Sequence, residues 1–172
     1  MGRCHAPEDL ALTTILIFRC GERRCALHRA AVSEVAPLPE LSRPPGTPAS
    51  LEGFLNLGGE VLGVVDAAAL FGVERDADVD PIYRHLVVLA EGEDPFCLLV
   101  DRVEDVRRVD LSVLMPVAAD HSLNGCVAGQ LEIDGAVVHL LDASRILLAA
   151  EAARMKALRA AEQARIDALA AP

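Results

Sequence analysis

The residues able to do chemistry in this chain are few, and their spacing does not suit it. Five cysteines sit at 4, 20, 25, 97 and 126, and five histidines at 5, 28, 85, 121 and 139. No two cysteines form a C-x-x-C pair, so the ligand spacing of a zinc ribbon is missing. Cys20 and Cys25 flank the turn Gly21-Glu22 with His28 nearby, the one place where a metal is conceivable; we read them as small strand residues beside a hairpin. Asp120-His121-Ser122 holds the three side-chain types of a nucleophilic triad, but neighbours in sequence cannot orient one another, and no G-x-S-x-G occurs. His85 and His139 fall in strand positions, as partly buried or edge side chains. A strand and not a helix follows Gly58-Gly59, so this pair is a β-turn needing positive φ and no phosphate cradle. Asp66 and Asp142 recur at equivalent places, which fits helix N-caps better than an acid–base pair. Glu104-Asp105 and Asp78/Asp80 read as solvated surface. The expectation is a protein without catalysis, cofactor or metal.

Composition narrows the partners. At 172 residues the chain fits one domain or two small lobes sharing a core. A formal net charge of −10 argues against nucleic acid and against anionic membrane surfaces, leaving proteins or small molecules. No apolar run is longer than that of Leu86 to Ala90, far short of the roughly 20 residues a membrane span needs. Glu8 and Asp9 precede the first apolar stretch, unlike the basic-then-apolar order of a signal peptide, and an odd cysteine count suggests reduced thiols; we read the chain as cytoplasmic.

The elements that would position any site come in two copies. Gly53-Phe54-Leu55-Asn56-Leu57-Gly58-Gly59-Glu60-Val61 leads into Val64-Val65-Asp66, and Gly129-Gln130-Leu131-Glu132-Ile133-Asp134-Gly135-Ala136-Val137 leads into Leu140-Leu141-Asp142. Upstream, Val32-Ser33-Glu34-Val35 matches Val103-Glu104-Asp105-Val106. Strands are expected at 13–20, 25–29, 31–35, 51–57 and 61–65, then at 83–90, 96–101, 103–109, 127–133 and 136–141. They lie too close in sequence for β-α-β crossovers, which argues against parallel pairing. Asp66 caps a helical turn ending at Gly72, and Asp142 is expected to cap a helix running from Ala143 to Ala171, a stretch free of Gly and Pro. The fold class is therefore all-β with short helices: two pseudo-symmetric five-stranded barrels side by side, from repeats around 13–72 and 83–148, plus a long C-terminal helix. Residues 1–11 form a flexible lead-in, 12–150 the domain, and 151–172 the helical extension.

The segment Gly53 to Asp66 resembles the signature of the CheW family of bacterial chemotaxis coupling proteins. That signature is a Gly-x-x-Asn-Leu-Arg-Gly run, then apolar residues and Pro-Val-x-Asp-Leu. Gly53, Asn56, Leu57, Gly59, Val64 (or Val65) and Asp66 match it. Val32-x-Glu34-Val35, Val100-Asp101-x-Val103-x-x-Val106 and Met115-Pro116 match further family elements, so the similarity runs from about residue 13 to 150. The chain departs where the family arginine is Gly58, the proline is Gly63, and the leucine after the aspartate is Ala67.

The resemblance implies SH3-like barrels without an active site, coupling chemoreceptors of the methyl-accepting type to a CheA-type histidine kinase. One barrel would dock the kinase's regulatory domain, and the groove between barrels would hold the receptor's cytoplasmic tip, peripheral to receptor arrays. Val32, Glu34, Val35, Gly53, Leu55, Asn56 and Gly58 are the candidate partner-binding residues. Loss of the arginine at Gly58 removes a bidentate donor and points to an auxiliary pathway with altered partners. The alternative is a small-molecule or metal-binding sensor using the groove, with Cys25, His28 or Cys97 as ligands. A detached piece of a larger signalling protein is a third reading, against which the start at Met1 counts.

Overall fold

The computed structural model describes residues 12–89, 94–118, 123, 125–147 and 149–171. Ten strands are seen there: β1 (Leu12–Cys20), β2 (Arg23–His28), β3 (Val32–Pro37), β4 (Leu51–Leu57), β5 (Glu60–Asp66), β6 (His85–Leu89), β7 (Phe96–Val100), β8 (Arg102–Asp110), β9 (Val127–Ile133) and β10 (Ala136–Leu141). A short helix α1 (Ala67–Phe71) follows β5, and a long one, α2 (Ala149–Ala170), ends the chain.

The strands form two five-stranded sheets, ordered β8-β1-β2-β10-β9 and β3-β6-β7-β5-β4. Three features of the expectation are corrected. The sheets are open, their edge strands unpaired with each other, so they are not closed barrels. Each contains one parallel pair, β2 with β10 and β5 with β7, because the partners are brought together from distant parts of the chain. And neither sheet is built from one repeat. The hairpin β1–β2 of the first half joins β8, β9 and β10, while β6–β7 of the second half joins β3, β4 and β5.

The duplication itself holds in fine detail. Register slips leave Ser33 unpaired in β3 and Glu104 in β8, at matching places of the repeat. Glu52 in β4 and Ala128 in β9 are skipped in the same way. Such bulges insert one residue and turn the following side chains to the other face. The turns at Gly58-Gly59 and Asp134-Gly135 also agree: φ is 62° and 94° in one, 54° and 74° in the other. Positive φ at both central residues is the type I′ geometry that suits a two-residue hairpin.

Strands such as β1 read as continuous apolar runs because both faces are covered. Ile15 and Ile17 face a small core with Ala26, Leu131, Val138 and Leu140, which belongs to the first sheet alone. Leu16 and Phe18 face a larger core shared with Val61, Val65, Val87, Leu89 and Leu98 of the second sheet. The second sheet has its own core around Leu62, Val64, Leu86, Cys97 and Leu99. Leu38 and Leu41 pack on that private core, as Leu111 and Leu114 do on the other.

Asp66 caps α1 as its position suggests, accepting from the Ala68 and Ala69 amides at 2.8 and 3.3 Å, and Gly72 closes the helix at φ 64°. Asp142 caps only a 3-10 turn, Ala143–Arg145, and the long helix starts afresh at Ala149; the expected single helix from 143 is corrected. No helix among the described residues is long and apolar enough to cross a membrane.

Candidate functional site

The two V-x-x-V elements on β3 and β8 are edge strands of their sheets. In an unbroken strand, residues three apart point to opposite faces. The bulges at Ser33 and Glu104 change this. Val32 pairs with Leu89 and Val35 with Val87, both residues of the shared core. Val103 pairs with Phe18 and Val106 with Leu16, again on the shared-core face. The first valine of each element packs into that core: Val32 is only 4% exposed, and Val103 is half-buried against it. The second valine of each stands free, Val35 at 38% and Val106 at 52% exposure. Leu12, also exposed, lies opposite Asp110 at the far end of the β1–β8 ladder. The result is a pair of solvated valines at equivalent positions, on faces that continue the shared core outward.

Val32, expected to stand exposed, is instead a buried residue of the shared core. Glu34 is exposed on the same edge, paired with Val88, and after burial its charge is the second cause that raises the Cys97 thiol. Gly53 is buried, and the close approach it permits is to the chain itself. At φ 153°, a Cβ there would lie 2.6 Å from the Ser42 carbonyl oxygen. Ser42 bridges back to Phe54 through both backbone bonds, 2.9 and 2.7 Å. At the matching Gly129 a Cβ would lie 2.5 Å from Leu114 Cγ, beside the bridge of Met115 to Gln130. Each connection thus covers the outer edge of β4 or β9, the edge that would otherwise invite another strand. Leu55 is half-buried on the private core with Leu38 and Leu41. Asn56 is exposed, but its Oδ1 accepts from the Gly59 amide at 2.9 Å and shapes the turn. Gly58 sits at the hairpin tip with open space where a side chain would start.

The residues proposed for a metal are scattered. Cys25 and His28 lie on β2 and Cys97 on β7 of the other sheet, and no three His, Cys, Asp or Glu gather to hold an ion among the described residues. Burial pushes the Cys20 and Cys97 thiols up to about 12 and Cys126 to about 11, and raises Cys25 further. They stay protonated, the wrong form for ligand or nucleophile. His139 is buried between Gln130 Nε2 at 3.2 Å and the Arg24 carbonyl at 3.3 Å, while His85 Nδ1 accepts from the Val103 amide at 3.4 Å. Asp120, His121 and Ser122 lie outside the described residues.

Sequence reasoning missed two features. One is an ion cluster at the junction of the sheets. Arg75 pairs with Asp66 and, at 2.9 Å, with Asp101, whose other oxygen accepts from the Gly21 amide. The other is the seat of α2 across β5, where a Cβ on Gly63 would lie 2.8 Å from Met155 Sδ. The departure from the family proline at Gly63 was the visible signal, and it marks where the helix crosses.

A family model for the CheW-like domain matches residues 14–151, most of the chain. The chain belongs to the CheW-like domain family. Among curated relatives, a chemotaxis protein CheW of Rhizobium meliloti (strain 1021) is 29% identical over 132 residues, covering 74% of this chain and 83% of that protein. A probable chemotaxis protein CheW of Rhizobium etli is 30% identical over 103 residues, covering 59% of this chain and 64% of that protein. Among solved structures, the scaffolding protein TtCheW from Thermoanaerobacter tengcongensis superposes with a TM-score of 0.71 at 22% identity, over 83% of this chain and 90% of that one; at that identity it speaks for the fold. The CheW-like match ends at the third residue of α2, so most of that helix lies beyond it.

Proposed function

We propose that the protein is a non-catalytic cytoplasmic scaffold in a chemosensory pathway. It would couple the cytoplasmic tip of a methyl-accepting chemoreceptor to the regulatory domain of a CheA-type histidine kinase. The observation that carries this reading is the pair of exposed valines, Val35 and Val106, at equivalent positions in a CheW-like domain. Bulges set both on the shared-core face, at places where the other sheet no longer covers them. Exposed aliphatic anchors with a polar rim are what a protein interface needs at its centre. Glu34 beside Val35, and Asp105 and Arg107 beside Val106, supply such a rim. Among the described residues the four cysteines are buried, and no three His, Cys, Asp or Glu gather to hold a metal.

The test is binding of Val35→Asp and Val106→Asp to the cognate kinase regulatory domain and to a receptor signalling-tip fragment, alongside thermal melts. Each substitution weakens at least one partner by roughly a hundredfold, since a desolvated charge costs a few kcal/mol, while the melt is unchanged. Native affinity of both variants for both partners would overturn the assignment of this face.

A further inference from the structure

We infer that the open edge of β8 pairs antiparallel with β8 of a second copy of this chain, about a two-fold axis at Val106. The geometry and charge of that edge carry this without the coupling reading, and the partner they name is of a different kind, the chain itself.

β8 is the outer strand of the first sheet, paired with β1 on one side and, among the described residues, with no strand on the other. It runs for nine residues, and none of them is buried. Such an edge presents a row of amides and carbonyls that a further strand can complete. The Val106 amide donates to the Asp105 carboxylate at 2.8 Å, an exposed bond that the carbonyl of a neighbouring strand can replace. Nearer the start of β8 the Val103 amide is taken by His85 Nδ1 at 3.4 Å, so the open stretch begins at Glu104. From there the sequence reads Glu104-Asp105-Val106-Arg107-Arg108. In an antiparallel pair centred on Val106, that valine meets its own copy, Asp105 meets Arg107, and Glu104, at the bulge, comes beside Arg108. The acidic half of each strand lies along the basic half of the other. Opposite charges across a ladder stabilise it and like charges oppose it. Moving the centre to Asp105 or Arg107 would set that residue against its own copy, so the charges select Val106. Within one copy Arg107 holds Asp105 at 3.0 Å and Asp134 at 2.7 Å, and Glu104 holds Arg19 at 3.2 Å and Arg24 at 2.8 Å. These side chains are thus ordered along the edge before a second copy arrives, which lowers the cost of association.

β3, the matching strand of the other half, shows what the fold by itself requires. It has the same bulge and the same exposed valine, but Val35 is followed by Ala36-Pro37 where β8 has Arg107-Arg108. Proline has no amide to give, and it blunts an edge. Charges placed only to keep copies apart do so best with one sign. Those of β8 are ordered so that two copies attract. A dimer on this edge and a partner seated on Val106 are alternatives, since both cover the same side chain.

The test is sedimentation equilibrium of the full chain as wild type, Asp105→Arg and Arg107→Asp, each alone and the two variants mixed. Wild type forms a dimer. Each reversal sets like charges against each other across the axis and weakens the dimer roughly tenfold or more. An equimolar mixture of the two variants recovers association, because arginine then faces aspartate at both positions. In wild type, amide exchange over residues 104–108 slows as protein concentration rises, while exchange in β3 does not change. A wild type that stays monomeric up to about 1 mM, single variants that dimerise as wild type does, or a mixture that associates no better than its components overturns the proposal. So does a dimer whose concentration-dependent protection lies outside β8.

Discussion

At the residue scale, the two valines of one short motif have opposite fates, and a bulge decides which. Skipping Ser33 puts Val32 and Val35 on one face, but only Val32 lies where the other sheet covers it. Placing an unpaired charge at Val32 costs about 4 kcal/mol or more, the range for a buried uncompensated group. Val32→Asp therefore lowers the melting temperature steeply, while Val35→Asp leaves it near wild type, and differential scanning calorimetry of the two separates them. A Val32→Asp protein that melts normally would contradict the burial. Gly53 makes a second residue-level case. Gly53→Ala sets a Cβ against the Ser42 carbonyl and costs about 1–3 kcal/mol by overpacking, while Gly58→Ala meets no neighbour and pays only for its positive φ, about 1 kcal/mol. Urea unfolding of both gives the order. The motif residues were legible in the sequence, but which side of the sheet each took was not. A single unpaired residue inverts a strand's alternation without any change in composition.

At the element scale, the interest lies in what ties strands to helices. Arg75 holds two carboxylates, Asp66 at the end of β5 and Asp101 between β7 and β8, and Asp101 in turn holds the β1–β2 turn at Gly21. Removing one partner of a buried ionic cluster strands the others. Arg75→Ala is expected to cost about 3–5 kcal/mol, and Arg75→Ala with Asp66→Asn less than the two single changes together. A double-mutant cycle by chemical denaturation measures this. On α2, Glu162 is nearly buried, bonded to Arg165 and, at 2.7 Å, to the Ser42 hydroxyl, and these bonds hold its carboxyl below its ordinary 4.5. A carboxyl depressed in the folded state contributes stability above its unfolded value and loses it as pH falls through the folded one. The seat of α2 should weaken below about pH 4.5 in wild type, and Glu162→Gln should flatten that dependence, as followed by amide exchange at Val61. The helix was legible as an alanine-rich run without breakers. Its start was not, because Asp142 caps a 3-10 turn as readily as a helix, and Gly63 in place of the family proline marked a departure without naming the helix that sits on it.

At the scale of the whole molecule, the repeat was visible in the sequence and the partition of strands was not. A continuous apolar run says that a strand has two buried faces, but it is the same whether a hairpin pairs with its own half or with the other. What decides is the parallel ladders β2–β10 and β5–β7, contacts between residues far apart in the chain. Through them each half lends its first hairpin to the other half's last three strands. The consequence is mechanical. Cutting between Asp80 and Pro81 leaves one fragment with β1 and β2 severed from β8, β9 and β10, and β3, β4 and β5 severed from β6 and β7. Neither fragment can close a five-stranded sheet or cover the shared core, whose residues come from both. Two-stranded and three-stranded remnants with exposed apolar faces are marginal alone. Each fragment, 1–80 and 81–172, should therefore be largely unfolded by NMR, and an equimolar mixture should recover dispersed amide signals as the halves exchange strands between chains. Independent folding of either fragment would show that the strands can pair within one repeat, and that the exchange seen here is not what holds the two sheets together.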